Sequence, residues 1–237
     1  MSLYLYAIVD RLPRGWRPPT AGVAGAAVIP RRADAVVVLG SLVDSVPPGS
    51  PRNLSLHQDV VATLVDAAAV WPFRYGTTVP GTSLGDWLGA HGQLVDAALQ
   101  SVRGCVEMTV KLLRLDGPPT RPLSARDRRI SRATNTGRDE HEIRSLAETL
   151  AELAGVQRWR YHPAGTGGNV VASAAFLVSR GDVPGFLARI APVASHAGGI
   201  AVIPTGPSVP YSFVPDLGRA PLSRLAGQGL AAARHVG

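Results

Sequence analysis

The sequence predicts an α+β protein of two domains: an N-terminal antiparallel sheet with helices on one face, and a C-terminal ferredoxin-like split βαβ element. Three patterns support this fold class: a short alternating run near the N-terminus, one long helical stripe of apolar residues, and a second half ordered helix, strand, strand, helix, strand. The chain has 237 residues, of which 46% are hydrophobic, so each domain can bury a core of its own.

The first strands are predicted from short apolar runs. Residues Leu3 to Val9 alternate tyrosines with aliphatic residues, which is typical of a strand whose two faces meet different neighbours. The runs Gly25 to Ile29 and Ala35 to Leu39 are separated by Pro30 to Asp34. This arrangement predicts a hairpin.

Two helices follow in the N-terminal half. Ser55 and Gln58 have the spacing of a capping box, and Pro72 forces the first helix to end near Val70. Ser83 is the expected cap of the second helix. That helix carries the strongest periodic signal in the chain, and its stripe must face a sheet: Leu84, Trp87, Leu88, Leu94, Val95, Ala98, Leu99 and Val102.

The predicted domain boundaries follow from proline, glycine and arginine. A strand from Cys105 to Leu115 closes an N-terminal α+β domain of residues 1–116, and residues 117–137 form a Pro/Arg-rich linker. The C-terminal domain, residues 138–237, ends in an aromatic tail. Its expected elements are a helix from near Thr136 to Gly155, strands Val156 to Tyr161 and Val170 to Val178, a helix Val183 to Ile190, and a strand Ile200 to Ile203.

The motifs of common enzymes are missing from the sequence. Gly165 to Gly168 joins two predicted strands, so it has no helix N-terminus with which to bind a phosphate. The single cysteine, Cys105, follows a glycine at the start of an apolar strand, where cysteine usually packs. Since the histidines lack metal-ligand spacing and no nucleophile elbow occurs, we expect no catalytic residue, no cofactor and no metal.

The positive net charge of the chain leaves nucleic-acid binding open as an alternative function. The chain has 24 basic and 17 acidic residues, a net charge of +7, which favours a polyanion as partner. An arginine-rich, ferredoxin-like nucleic-acid-binding module would use Arg126, Arg128, Arg129, Arg132 and Arg138. Aromatic residues make up only 5% of the chain, however, and none interleaves with that run, which disfavours base stacking.

Neither a membrane span nor a signal peptide is expected. The longest apolar stretches fall well short of the roughly 18 residues that a spanning helix needs. The apolar start, Met1 to Val9, has no basic region before it. We therefore expect a cytoplasmic protein.

Two charged positions lie inside apolar strands. Glu107 and Lys111 project from one face of their strand but are about 13 Å apart, so each needs another partner. Arg74 lies between Phe73 and Tyr75, and we predict that it pairs with Glu107 if their strands are adjacent. The alternative is that both charges face solvent.

The segment from Pro204 to Val214 combines prolines with aromatic residues. Proline suits an edge strand, and Tyr211 and Phe213 would share one face of an extended segment. The tail either closes the protein's own core or forms an exposed aromatic edge that pairs with a strand of another chain.

Four segments, in this order, resemble the gas vesicle protein GvpL/GvpF family. They are Leu-Tyr-Ala-Ile-Val at residues 5–9, the block from His57 to Thr77 that closes in Trp-Pro-Phe-Arg-Tyr-Gly-Thr, the strand from Gly104 to Lys111, and the tail from Gly206 to Phe213. The resemblance implies a non-enzymatic assembly factor associated with the gas vesicle. Its implied partners are the small hydrophobic shell protein GvpA or its minor relatives, and other gas vesicle accessory proteins.

The resemblance also suggests which residues contact a partner. Tyr75 stands where the family usually has phenylalanine, and Ser208 and Val209 stand where its tail usually has tryptophan and proline. The family's Val-Glu-x-x-Val-Lys pattern falls on Val106 to Lys111. The candidates are Pro72, Phe73, Arg74, Tyr75, Gly76, Thr77, Glu107, Lys111, Gly206, Pro207, Pro210, Tyr211, Ser212 and Phe213.

Overall fold

The chain divides into two compact units whose limits differ from the predicted domains. A computed structural model describes residues 1–33, 35–115, 125–163, 169–196 and 199–216. The first unit comprises Met1–Cys105 together with the described residues from Ser208 on, and the second comprises Val106–Pro207. The boundary expected at residue 116 therefore falls about ten residues late, and the tail belongs to the first unit.

A five-stranded antiparallel sheet forms the centre of the first unit, counted over the described residues. Strand β1 lies between β3 on one side and both β4 and β5 on the other, while β2 extends the sheet beyond β3. The strands are β1 (Ser2–Val9), β2 (Ile29–Ala33), β3 (Val36–Val43), β4 (Val70–Pro72) and β5 (Thr78–Pro80).

The two helices of this unit pack on opposite faces of the sheet, so the expectation of helices on one face was wrong. Helix α1 (Pro51–Ala62) contributes to the core that contains Tyr4 and Tyr6, and α2 (Leu84–Ser101) to the core that contains Leu3 and Leu5. Successive strand residues point to opposite faces. Both faces of β1 are therefore covered, which is why its tyrosines and aliphatic residues alternate.

The N-cap of helix α1 lies five residues before Ser55, the residue that the predicted capping box placed there. Ser50 is the N-cap, its hydroxyl accepts the Asn53 N–H at 3.2 Å, and Pro51 occupies the first helical position. Proline suits that position because it needs no N–H there. The helix ends at Ala62, well before Val70.

The predicted hairpin forms, but its first strand is displaced. Residues Ile29–Ala33 pair antiparallel with Val36–Gly40, so Pro30, Arg31 and Arg32 lie in the strand and not in the turn. Proline is acceptable there because β2 is an edge strand.

The second unit contains a four-stranded sheet with its helices on one face. Its elements are β6 (Cys105–Arg114), α3 (Ala125–Ala154), β7 (Trp159–Pro163), β8 (Val170–Ser179), α4 (Val183–His196) and β9 (Ile200–Ser208). The strand order is β7-β8-β6-β9, and residues of both helices share one core with the sheet. This is the element order of a ferredoxin-like split βαβ, with β6 as the first strand that the sequence analysis had assigned to the other domain.

The predicted linker overlaps the third helix. Helix α3 starts at Ala125, eleven residues before the expected start near Thr136, so much of 117–137 is helical. The rest of the linker, and the turn Gly165 to Gly168, lie outside the described residues. The side chains of the five arginines in the proposed nucleic-acid-binding run are not described either, so that alternative stays a prediction.

Among the described helices, none is both long enough and apolar enough to cross a membrane.

Candidate functional site

The Pro72–Thr77 motif forms a loop inside the sheet of the first unit. Strands β4 and β5 both pair with β1, so residues 73–77, here called the motif loop, interrupt what would otherwise be one strand. Its two ends are fixed by backbone hydrogen bonds, from Phe73 N to Tyr6 O at 2.8 Å and from Leu5 N to Thr77 O at 2.9 Å. The loop is therefore held to the central strand.

A tight turn gives the motif loop its shape. The Thr77 amide and hydroxyl both donate to the Arg74 carbonyl, at 3.3 and 2.8 Å. Gly76 has φ of 92°, in the left-handed region where a side chain is strained. Its N–H donates to the Tyr4 hydroxyl at 3.1 Å, so glycine both allows the turn and brings the amide to its partner.

His57 lies at the centre of the polar network behind this loop. It projects from α1, is only 3% exposed, and contacts Tyr4 through Nδ1 at 2.9 Å. Its Nε2 lies 3.0 Å from the Phe73 carbonyl oxygen and 3.3 Å from the Tyr211 hydroxyl. Because a carbonyl only accepts, Nε2 must carry the proton, and Nδ1 accepts from Tyr4.

Burial keeps this imidazole neutral. Desolvation lowers the pKa of His57 to about 4, although the hydrogen bond to the Phe73 carbonyl opposes the shift. Burial also raises the pKa of Tyr4, despite the opposing hydrogen bond from Gly76. The network is therefore uncharged at neutral pH, and its hydrogen bonds hold α1, β1 and the motif loop together.

The other tyrosines on this face are also hydrogen-bonded. The Tyr6 hydroxyl accepts from Val23 N and contacts Ser41 Oγ, each at 2.9 Å. The hydroxyl of Tyr75, the residue that replaces the usual phenylalanine, lies 2.9 and 2.8 Å from the carbonyl oxygens of Pro47 and Pro48. Tyr75 thus anchors the motif loop to the segment before α1.

The aromatic tail packs onto its own unit and does not form an extended edge. Residues Tyr211–Phe213 form a 3-10 turn in which Phe213 is buried and Tyr211 is half-buried. Val209 is also buried, and the Trp71 indole N–H donates to the Pro215 carbonyl at 3.0 Å. Of the two alternatives, the tail that packs on its own unit agrees with the structure, and a 3-10 turn replaces the expected extended segment.

Arg74 pairs with the tail and not with Glu107. Its Nε lies 2.6 Å from Asp216 Oδ2. Glu107 lies in β6, which belongs to the other sheet, so the strand adjacency required by the predicted pair does not exist. The prediction was wrong because sequence spacing does not show which sheet a strand joins.

The motif loop, the tail and α1 together enclose an open depression of about 290 Å³. We call it the Arg74 depression, and its lining is Leu54, His57, Gln58, Arg74, Tyr75 and Tyr211. Arg74 also lines a much smaller crevice with Asp216 on the tail side. The structure thus brings two of the candidate segments, Pro72–Thr77 and Pro210–Phe213, to one place.

The remaining candidates lie in the second unit. Glu107 is buried, whereas Lys111 on the same strand face is exposed. Gly206 and Pro207 lie in the edge strand β9, and a Cβ on Gly206 would come within 2.9 Å of the Glu107 carbonyl oxygen. The approach of Gly206 to Glu107 is therefore a close contact between two strands of this sheet.

The chemistry of the Arg74 depression suits binding. Its imidazole and phenols are neutral, and the hydrogen bonds of His57 join α1 to β1, to the motif loop and to the tail. Among the described residues, no group of three His, Cys, Asp or Glu side chains is placed to hold a metal ion. The arrangement offers aromatic and aliphatic surface beside one arginine.

Sequence reasoning missed His57, which it considered only as one of the histidines without metal-ligand spacing. A usable signal was present, because Val60, Val61 and Leu64 follow at three, four and seven residues and are all buried. Those spacings place His57 on the same helix face. A histidine on that face must find buried hydrogen-bond partners.

Comparison with known proteins identifies the family. The family model for the gas vesicle synthesis protein GvpL/GvpF matches residues 2–215. Among solved structures, the crystal structure of the gas vesicle protein GvpF from Anabaena sp. PCC7120 is similar, with a TM-score of 0.70 and 19% identity over 92% of this chain and 98% of that one. GvpF from Microcystis aeruginosa gives a TM-score of 0.69 and 14% identity over 90% of this chain and 98% of that one.

Among curated proteins, none matches this sequence significantly. At such low identities the two crystal structures show a shared fold, with mixed α and β elements and two antiparallel sheets. The family model covers nearly the whole described chain. The chain therefore belongs to the GvpL/GvpF family of gas vesicle synthesis proteins.

Proposed function

We propose that this chain is a non-enzymatic assembly factor that binds the small hydrophobic gas vesicle shell protein, GvpA or one of its minor relatives, and supports gas vesicle formation. Family membership over residues 2–215 connects the chain with gas vesicles and is the observation that carries the proposal. A shell subunit must keep its apolar surface from water until it is incorporated. A partner with apolar surface of its own can cover it.

The Arg74 depression supports this proposal with a surface of suitable chemistry. Leu54 on its rim is 40% exposed, and the rings of Tyr75 and Tyr211 form part of its lining. Tyrosine and arginine are among the residues that carry most of the binding energy at protein interfaces, and apolar contacts around them exclude water. The neutral His57 beneath them adds no charge that would oppose apolar contact.

A capture experiment with one matched pair of variants tests the proposal. The tagged full chain is co-expressed with the shell protein, and the shell protein retained on the affinity resin is measured. Leu54→Ser removes apolar surface at the depression, and Leu94→Ser removes the same side chain from α2, where Leu94 is 37% exposed. Because both leucines are exposed, each change should alter the free energy of unfolding by only about 0.5 kcal/mol.

We expect the wild-type chain and Leu94→Ser to retain the shell protein and Leu54→Ser to retain less. If all three proteins retained equal amounts of the shell protein, the Arg74 depression would not be its binding site. Failure of the wild-type chain to retain the shell protein would refute the proposed function itself.

A further inference from the structure

The rim of the Arg74 depression carries a cation whose present partner belongs to the chain's own tail. Arg74 Nε lies 2.6 Å from Asp216 Oδ2, and the two side chains are 58% and 51% exposed. An ion pair that is this exposed stabilises a protein little, since water screens it and both side chains lose freedom. If another carboxylate binds Arg74 in place of Asp216, the loss of this ion pair therefore lowers the stability of the protein only slightly.

The Arg74 guanidinium has more N–H donors than the contact of its Nε with Asp216 uses. It has five N–H donors in a planar fork that suits a carboxylate, and the described ion pair is made through Nε. The same residue lines the depression on one side and the crevice with Asp216 on the other. A carboxylate that enters the depression thus comes within reach of the same guanidinium that holds Asp216, and the two carboxylates compete for it.

The rest of the depression is lined by residues that suit an apolar side chain of the partner, next to the carboxylate that binds Arg74. Leu54, Tyr75 and Tyr211 present aliphatic and aromatic atoms, and His57 behind them is neutral. At about 290 Å³ the depression lies at the lower limit for a small-molecule site, and it is open. Its size suits one or two side chains of a partner protein.

We propose that the Arg74 depression binds a partner segment that carries a large apolar side chain next to an acidic one, and that the acidic side chain displaces Asp216 from Arg74. The inference deepens the proposed function and rests on it, because the partner is the captured shell protein. Apolar contact supplies affinity. The exchange of carboxylates at Arg74 supplies specificity.

Two variants that break the same ion pair test this exchange. Arg74→Gln removes the cation, and Asp216→Asn removes its intrachain competitor; the loss of the ion pair is common to both. If the pair only stabilised the fold, both variants would change capture in the same direction. If a partner carboxylate competes with Asp216, the two variants must act in opposite directions.

We expect Arg74→Gln to lower the amount of co-expressed shell protein captured about twofold to fivefold, and Asp216→Asn to raise it by a similar factor, the range of an exposed ion pair. Salt of about 0.5 M should reduce capture by the wild-type chain and by Asp216→Asn more than capture by Arg74→Gln. Melting temperatures of both variants report whether the fold is retained.

Each outcome decides between the two proposals. Parallel responses of the two variants, or no response, with normal wild-type capture would overturn the acidic-partner inference and leave the proposed function standing. A wild-type chain that captures no shell protein would overturn both.

Discussion

Acid should destabilise the first unit through His57. The imidazole is buried and neutral, and its Nδ1 accepts a hydrogen bond from Tyr4 while its Nε2–H donates to the Phe73 carbonyl. A second proton on Nδ1 would leave the Tyr4 hydroxyl hydrogen without this acceptor. The charged ring would also remain buried, with only 3% of the residue exposed, where an uncompensated charge is costly.

The size of the effect follows from the two states of the histidine. Its pKa is 6.5 in an unfolded chain and about 4 in the folded protein, so between these values the unfolded state binds more protons. Stability from this residue is fully present above pH 6.5 and is lost as the pH falls toward 4. We expect a loss of about 2 kcal/mol at pH 5 and about 3 kcal/mol near pH 4.

Urea titrations of the wild-type chain and of His57→Gln, followed by tryptophan fluorescence, measure this loss. Trp71 is fully buried in the first unit and reports on its unfolding. Carboxylates titrate in both proteins, so the difference between their pH profiles isolates His57. Identical profiles between pH 7.5 and 5, or an imidazole pKa near 6.5 by NMR in the folded chain, would refute the reasoning.

Three further predictions concern stability. Gly76→Ala should cost about 1–2 kcal/mol because φ is 92° there, whereas Gly89→Ala on the exposed surface of α2 should gain about 0.5–1 kcal/mol; thermal melts compare the two, and equal shifts would contradict the prediction. Tyr75→Phe should cost about 1 kcal/mol in urea titrations, since it removes the hydroxyl contacts to two loop carbonyls, and an unchanged midpoint would show that they contribute nothing. Phe176→Ala should cost about 3–5 kcal/mol by chemical denaturation, because it opens a cavity in the core of the second unit; a loss below about 1 kcal/mol would contradict the packing described.

The sequence predicts well those elements whose signal is local. The apolar stripe of α2, except for the exposed Leu94, and the strand from Cys105 are both present at their expected positions. A helical period and a continuous apolar run are visible without knowing the neighbours. The alternation in β1 even indicates that its two faces differ. Which helix covers which face depends on chain crossovers, and no local pattern records those.

The candidate site was predicted less completely, since it depends on contacts between distant segments. Pro72–Thr77 and Tyr211 were singled out, but His57, which links them, was not. The partner of Arg74 was wrong for the same reason: Asp216 is 142 positions away in the sequence, and only the return of the tail brings it within reach.

That return makes the first unit discontinuous along the polypeptide. Residues Val106–Pro207 form a separate compact body inserted between its two parts, and the tail supplies partners to Trp71 and His57. A ribosome must therefore synthesise nearly the whole protein before the N-terminal body can be completed, although domains ordinarily fold as they emerge. The second unit is continuous in sequence and needs no later segment, so it can fold before the first unit is complete.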